Sequence, residues 1–409
     1  MNQQTNGSKE TKSMNQQTTL PKEKKRIKPK HYINYVLVLL ILVPFLINVL
    51  TGGVKFSTSD LVVKIAYSMI LAVSLNLVVG FLGELSLGHA GFMCVGAYVG
   101  GLFATRLSTV IDSHLLVFIL AMAVGGLLAA LFGFLIGLPT LRLKGDYLAI
   151  VTLAFGEIVR TIFRNQEIFG GAMGLSTNAY TLKELYIPAL VALVMAIVTV
   201  FVSQNLMRSK HGRAIQAIRD NEIAARAMGV NVTYYKLAVF VIAAFFAGIA
   251  GVIYSQSNSL VTNTFFSYNY SIEILVMVVL GGMGNISGSL IAAAILTFIN
   301  VKLTTQLSGD MAALKFLIYA LILIVMVMWN NAPKLRNLRE RVNMRNFVDW
   351  LHRLILRRSR KTPEGGVEPP TNAAWDKIPT KIPMDSILST DLKVDHSFEP
   401  DQPSKGDRK

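Results

Sequence analysis

Ser86 and His89 stand three residues apart in the stretch GELSLGHAGF (residues 83–92), with Glu84 just before them. A serine, a histidine and an acid are the parts of a nucleophilic hydrolase, where the imidazole takes the hydroxyl proton and the acid orients the imidazole. Ser287, set among glycines, is a second candidate nucleophile. Neither serine lies in a G-x-S-x-G elbow. The sequence Asn285-Ile286-Ser287-Gly288 also lacks the leading glycine of the G-x-S-G found in intramembrane serine hydrolases. Glu157 and Arg160 form another constellation, one turn apart on one helix face, and Glu273 is a further acid in apolar surroundings. The chain has a single cysteine, Cys94, so it forms no internal disulfide, and no Cys/His set has metal-ligand spacing. No G-x-x-x-x-G-K-[ST] phosphate loop occurs. These residues lead to the expectation of no enzyme activity, no bound metal and no cofactor on this chain.

The elements that carry these residues follow from composition. Of 409 residues, 52% are hydrophobic and only 16% charged, and mean hydropathy is +0.48. A soluble chain carries about a quarter charged residues. Apolar runs recur at the length a helix needs to cross a bilayer, roughly 20 residues at about 1.5 Å each. The fold expected is an all-α polytopic membrane protein of about ten transmembrane helices (eight to ten), some short or broken. Candidate spans are 33–50, 61–81, 86–103, 115–138, 146–163, 187–207, 237–256, 272–284, 288–305 and 313–329.

The net charge of +16 is confined to a few segments. Eight Lys/Arg lie in residues 1–30, six in 208–236 and sixteen after Asn330, together 30 of the 40. That placement reads as the positive-inside rule rather than as nucleic-acid binding. It puts both termini in the cytoplasm, along with 139–145 (Arg142, Lys144) and 208–236, and leaves 104–114, 164–186 and 257–271 outside. The first apolar run follows a long basic tail and lacks a small-residue cleavage site, so it reads as a retained helix. The domain expectation is a basic disordered cytoplasmic tail (1–30), a transmembrane domain (31–330) with a cytoplasmic loop at 208–236, and a cytoplasmic tail (331–409). Residues 343–360 in that last tail place Phe347, Trp350, Leu351, Leu354 and Ile355 on one face beside arginines. Such a helix lies on membrane lipid or is an ordinary cytoplasmic helix.

Residues 211–236, HGRAIQAIRDNEIAARAMGVNVTYYK, are the most informative cytoplasmic segment. Asp220 reads as an N-cap, Glu222 as a first-turn acid and Gly229 as the stop of a two-turn helix. A helix this short needs a partner surface. Ala224 and Ala225 permit close approach, while Arg213, Arg219 and Arg226 offer charged contacts. The segment reads as a docking element for a cytoplasmic protein.

Ile223-Ala224-Ala225-Arg226-Ala227-Met228-Gly229 resembles the E-A-A-x-x-x-G coupling motif of ABC-importer permeases, and the fuller GRAIQAIRDNEIAARAMGVNV resembles the branched-chain amino acid permease family. LRLKGDYLAIVTLAFGEIVR (141–160), SIEILVMVVLGGMGNISGSLIAAAIL (271–296) and LNLVVGFLGELSLGHAGFMCVGAY (75–98) match the same group, in order, across roughly 61–330. Ile223 departs from the motif, whose glutamate here falls one position earlier at Glu222, and the downstream I-x-L-P is absent. The resemblance implies a permease of the bacterial cytoplasmic membrane working beside a second related permease. Two cytoplasmic ATPase subunits would supply ATP hydrolysis and an extracytoplasmic binding protein would supply the solute. Leucine, isoleucine and valine are the substrates it implies. Urea, short amides or another small solute fit an apolar pathway nearly as well, and an ion-coupled secondary transporter is the competing mechanism.

Ionisable residues inside a membrane are costly and mark function or a buried pair. Glu157 and Arg160 line or gate the pathway, or else form a structural pair between helices. Glu273 faces the solute, or serves as a first-turn acid at the outer surface. Gly83, Gly88 and Gly91 loosen the backbone around Glu84, Ser86 and His89, which read as a hinge or lining element of the pathway, and Gly281, Gly282, Gly284 and Gly288 break a helix or allow close packing. Irregular backbone at membrane depth survives only where it is buried in protein or lines a cavity. The two glycine stretches are loosely alike in this respect.

Overall fold

The computed structural model describes residues 33–50, 56–140, 143, 145–177, 186–306, 320, 321 and 324. The chain divides into the units Met1–Ala332 and Pro333–Lys409, and every described residue lies in the first. The expected span 313–329 (apart from those three positions), the helix at 343–360, both tails and the loop residues Arg142 and Lys144 fall outside the described residues.

Eleven α-helices follow one another among the described residues. They are α1 (Ile33–Leu50), α2 (Phe56–Asn76), α3 (His89–Leu107), α4 (His114–Thr140), α5 (Asp146–Asn165), α6 (Tyr186–Arg208), α7 (Lys210–Asp220), α8 (Glu222–Ala227), α9 (Val232–Ser257), α10 (Tyr268–Gly281) and α11 (Ile286–Gln306). Among the described residues, six helical stretches are long and apolar enough to cross a membrane: Ser57–Leu82, His89–Leu107, His114–Thr140, Tyr186–Arg208, Val232–Ser257 and Ile286–Thr304. The expected span 33–50 coincides with α1 and 146–163 falls within α5, whereas 272–284 overlaps α10, which starts four residues earlier and ends at Gly281. The last has 14 residues, about 21 Å at 1.5 Å per residue, short of a roughly 30 Å hydrocarbon core.

Small residues decide how α3, α4 and α9 pack. A Cβ on Gly96 would lie 2.1 Å from the Gly248 carbonyl oxygen, and one on Gly251 would lie 2.1 Å from that of Met93. The α3 and α9 backbones therefore touch, as expected where apolar solvent leaves van der Waals packing to hold helices together. On α4, Gly125, Gly126, Ala129 and Gly133 face inward, while Leu116, Ile119, Leu127, Leu131 and Leu135 face outward. That division matches a helix with protein on one side and lipid on the other. The apolar part of α2 is enclosed along its whole length, packed by α6, α9, α10 and α11.

The segments expected to lie outside are not plain loops. Leu175–Ser176 (β1) pairs antiparallel with Leu260–Val261 (β2), with Leu175 opposite Val261 and Ser176 opposite Leu260. Single 3-10 turns flank them at Glu167–Phe169, Gly171–Met173 and Asn263–Phe266. They cover an aromatic cluster in which Tyr98 stacks on Phe163 (centroids 5.1 Å apart) and Tyr254 on Phe265 (4.4 Å).

Candidate functional site

The segment between α6 and α9 contains two helices where the sequence suggests one. Ser209 opens α7, its hydroxyl accepting from the Gly212 amide at 3.2 Å. Ile215 and Ile218 are buried and anchor the helix. Because α7 runs through Asp220, the N-cap of α8 is Asn221, not Asp220. Asn221 is extended (φ −157°) and its Oδ1 accepts from the Ala224 amide at 3.0 Å. Asp220 instead pairs with Arg219 at 3.2 Å. Gly229 closes α8 as expected, in the left-handed region at φ +81°. Its amide donates to the Arg226 carbonyl at 3.0 Å, and that of Val230 to the Ala225 carbonyl at 3.1 Å. This is a Schellman closure, so a helix of six residues is capped at both ends.

The two faces of α8 differ. Ala225 is 5% exposed and seats the helix on its own protomer, whereas Ile223 is 78% and Met228 84% exposed. Ala224, Arg226 and, on α7, Arg213 also face outward. Glu222 turns inward: one oxygen meets the Lys236 ammonium at 3.3 Å and the other the Arg226 guanidinium at 3.0 Å. The position where the coupling motif carries glutamate is thus an outward apolar side chain here, and the carboxylate has moved to the inner face.

The opening stretch lies at this same end. Below Asn76 the α2 ladder changes to a π-helical turn, Leu77–Leu82, which Gly83 terminates at φ +82°. Residues 83–88 are irregular, so α3 begins at His89, three residues later than the expected span. Several backbone groups here find partners: the Glu84 amide donates to the Val78 carbonyl at 3.1 Å, that of Leu87 to Thr152 Oγ1 at 3.0 Å and that of Gly91 to the Gly88 carbonyl at 2.9 Å, while at the start of α3 the Ala90 amide donates to Ser271 Oγ at 3.1 Å. Gly88 and Gly91 lie against the α5 backbone at Thr152 and Gly156. Glu84 Oε1 accepts from Lys236 Nζ at 2.5 Å.

Ser86 and His89 do not pair. Ser86 Oγ is buried with no hydrogen-bond partner among the described residues. Ser74 Oγ lies 3.0 Å from the Leu71 carbonyl oxygen and 2.8 Å from His89 Nε2, so the imidazole pairs with a hydroxyl of α2 and not with Ser86. His89 is buried as an α2–α3 tie. Ser287 Oγ hydrogen-bonds Asn34 Oδ1, joining the start of α11 to the start of α1.

The second glycine stretch abuts the first. Gly282 and Gly284 adopt φ +90° and +78° in the turn between α10 and α11, while Gly281 and Gly288 pack backbone to backbone. Asn76 ties this turn to α2: its Oδ1 accepts from the Gly284 amide at 2.9 Å and its Nδ2 donates to Ser289 Oγ at 3.0 Å. Arg219 reaches the junction from α7, donating through Nη1 to the Gly80 carbonyl at 3.1 Å.

Glu157 and Arg160 do form the pair anticipated from their spacing, at 2.7 Å. Glu157 also does something the sequence does not reveal. Its other oxygen accepts from the Tyr268 amide at 3.0 Å, placing a carboxylate at the N-terminus of α10, where the helix dipole favours it. Since α10 starts at Tyr268, Glu273 belongs to its second turn rather than its first, and its Oε1 accepts from Asn300 of α11 at 2.8 Å.

Sequence reasoning did not assign Lys236, Asn76 or Ser74. A lysine one turn inside an apolar helix was a legible signal. Its partners, 152 and 14 residues away, were not. No group of three His, Cys, Asp or Glu suited to a metal occurs among the described residues.

Comparison with known proteins agrees with this architecture. A sequence model of the family described as "Branched-chain amino acid transport system / permease component" matches residues 57–327. The chain is 34% identical over 352 residues to the high-affinity branched-chain amino acid transport system permease protein LivM of Escherichia coli K12, covering 78% of each chain. It is 30% identical over 266 residues to a probable LivM of Methanocaldococcus jannaschii, covering 57% of this chain and 76% of that one. It is 23% identical over 278 residues to the LivH permease of Salmonella typhimurium, covering 63% and 88%. No solved structure matches significantly. The chain therefore belongs to the family of permease components of branched-chain amino acid transport systems.

Proposed function

We propose that the chain is the membrane-spanning subunit of an ATP-driven importer that brings leucine, isoleucine and valine into a bacterial cell. It would work beside a second, related permease, two cytoplasmic ATPase subunits and an extracytoplasmic solute-binding protein. The observation that carries this reading is α8. It is a doubly capped helix that holds Ile223 and Met228 in the open while Ala225 and Glu222 tie it to the protomer. Two exposed apolar side chains held on one capped helix suit a partner surface that covers them. The chain itself binds no nucleotide, and ATP is consumed by that partner. The α8 end faces the cytoplasm, together with both termini.

The outward face of α5, with Tyr147, Ile150, Ile158 and Ile162, suits the second permease, with the solute passing between the two. Glu157, Arg160 and Glu273 are our candidates for contact with the solute at the opposite end. Ser86 and His89 act on the pathway only through the packing of the 83–91 stretch. Glu157→Gln keeps a hydrogen-bond acceptor for the Tyr268 amide but loses the charge facing Arg160. Because that pair is partly exposed, stability should change by no more than about 1 kcal/mol, while maximal leucine uptake falls several-fold. Uptake kinetics beside a thermal melt separate the two effects.

Uptake of labelled leucine by cells expressing the complete transporter tests the proposal. Uptake should stop on ATP depletion and survive collapse of the ion gradients. Uptake driven by an ion gradient without nucleotide would overturn the ATP-driven reading. A binding protein from the same system that takes a sugar or urea would overturn the substrate.

A further inference from the structure

We infer that Lys236 is a positioning residue that couples α8 to the break in α2, so that a shift of the coupling helix is passed to the 83–88 stretch through ion pairs. The inference rests on the reading of α8 as the ATPase docking element. It begins from a cost. Lys236 is 3% exposed, and burying an ammonium is unfavourable unless it is paired. Two carboxylates meet it from different parts of the chain: Glu84 at 2.5 Å, just beyond the π-helical turn, and Glu222 at 3.3 Å, in the first turn of α8. Arg226 binds the other oxygen of Glu222 at 3.0 Å. The four side chains, two acids and two bases, are neutral as a set.

The buried part of this set, Lys236 with Glu84 and Glu222, is weak evidence for stability, because apolar side chains of similar volume do as well or better. What it supplies is a fixed geometry among α8, the base of α9 and residue 84. A second tie makes the geometry informative. Arg219, at the end of α7, donates to the Gly80 carbonyl at 3.1 Å, and its stem lies against Gly83. The α7–α8 segment is thus attached within the Leu77–Leu82 turn, at Gly80, and just after it, at Glu84. Turns of π-helix inside α-helices recur at functional sites, where their looser ladder is readily rearranged. The adjoining Gly282–Gly284 turn is tied to the same place through Asn76, so motion of α8 reaches α2, α3 and the α10–α11 turn together.

The test uses the complete transporter in proteoliposomes and reads solute moved per ATP hydrolysed. Lys236→Met removes the cation while keeping its stem, Glu84→Gln removes one acid, and the double variant removes both. Each single change should lower the ratio about tenfold, and the double should fall no further than the worse single, since both break one link. A wild-type ratio in both single variants, with the ATPases still bound, would overturn the inference. So would singles whose effects multiply in the double. A purely structural role would reduce yield and melting temperature and leave the ratio unchanged, which also counts against it. If Lys236→Met does not assemble, Glu84→Gln decides alone, because it leaves the Lys236–Glu222 pair in place. Failure of the docking reading itself is seen separately, as full coupling and ATPase retention in Ile223→Asp.

Discussion

Ile223→Asp is expected to abolish ATP-driven uptake, by tenfold at the least, in a protein that still inserts and folds. Ile223 is 78% exposed on α8 and contributes little to its own protomer, so the change costs the isolated chain almost nothing. Its effect falls on the partner. Withdrawing one aliphatic side chain from an interface forfeits about 1.5–3 kcal/mol, and each 1.4 kcal/mol is about tenfold in affinity. An aspartate there adds the desolvation of a charge with no partner of its own. Met228, 84% exposed on the same helix, should behave alike. Co-purification of the ATPase with the permease, beside uptake in membrane vesicles, measures the effect.

Two companion variants locate its origin. Ala225→Asp acts from the opposite face, putting a charge where the side chain is 5% exposed, so it should unseat α8 from its protomer. Gly229→Val should impair coupling through the helix terminus, since a left-handed φ costs a residue with a Cβ about 1–2 kcal/mol. Gly229→Asn should be tolerated, because nothing lies within 4 Å of the position a Cβ would take and asparagine accepts that conformation. Normal uptake by Ile223→Asp and Met228→Asp together would remove α8 as the docking face.

The second large effect is on folding. Gly251→Val should all but eliminate folded protein, as should Gly96→Val. At Gly251 a Cβ would sit 2.1 Å from the Met93 carbonyl oxygen and 2.7 Å from the Ala97 nitrogen. At Gly96 it would sit 2.1 Å from the Gly248 carbonyl oxygen. Overpacking a core ordinarily costs about 1–3 kcal/mol because side chains yield. Here the neighbours are backbone atoms in helices hydrogen-bonded along their length, so whole helices must separate. The loss belongs at or above the top of that range. Leu127→Val on the outward face of α4 is the control, with a change under about 0.5 kcal/mol. Yield of monodisperse protein in detergent and its melting temperature report both. A wild-type melt for Gly251→Val would refute the α3–α9 contact.

The sequence by itself determined the class, the family and the position of most of the long apolar helices, though not their number. Apolar runs such as 115–138 and 237–256 announce α4 and α9, because in lipid every backbone group must be satisfied within its own segment. Helix formation there is a local property that a local pattern reports. The resemblance of residues 61–330 identified the family from the same text, and the i,i+3 spacing of Glu157 and Arg160 predicted their pair. The stop at Gly229 was legible because only one residue type adopts φ +81° without cost.

The tertiary structure decided everything that depends on which segment meets which. Asp220 and Asn221 are both able to cap a helix, and the choice fell to Asn221 because buried Ile215 and Ile218 hold α7 in register through Asp220. The serine and histidine three residues apart were drawn to different surroundings, His89 to Ser74 on α2 and Ser86 into a buried position without a partner among the described residues. Short strands β1 and β2 formed from loops with no alternating pattern to betray them. Glu84 found Lys236 across 152 residues. A buried charge must be neutralised by whatever packing brings near, and packing is a property of the assembled helices. Spacing along the chain therefore recorded where polar groups enter the membrane domain, and only the fold recorded what each of them meets there.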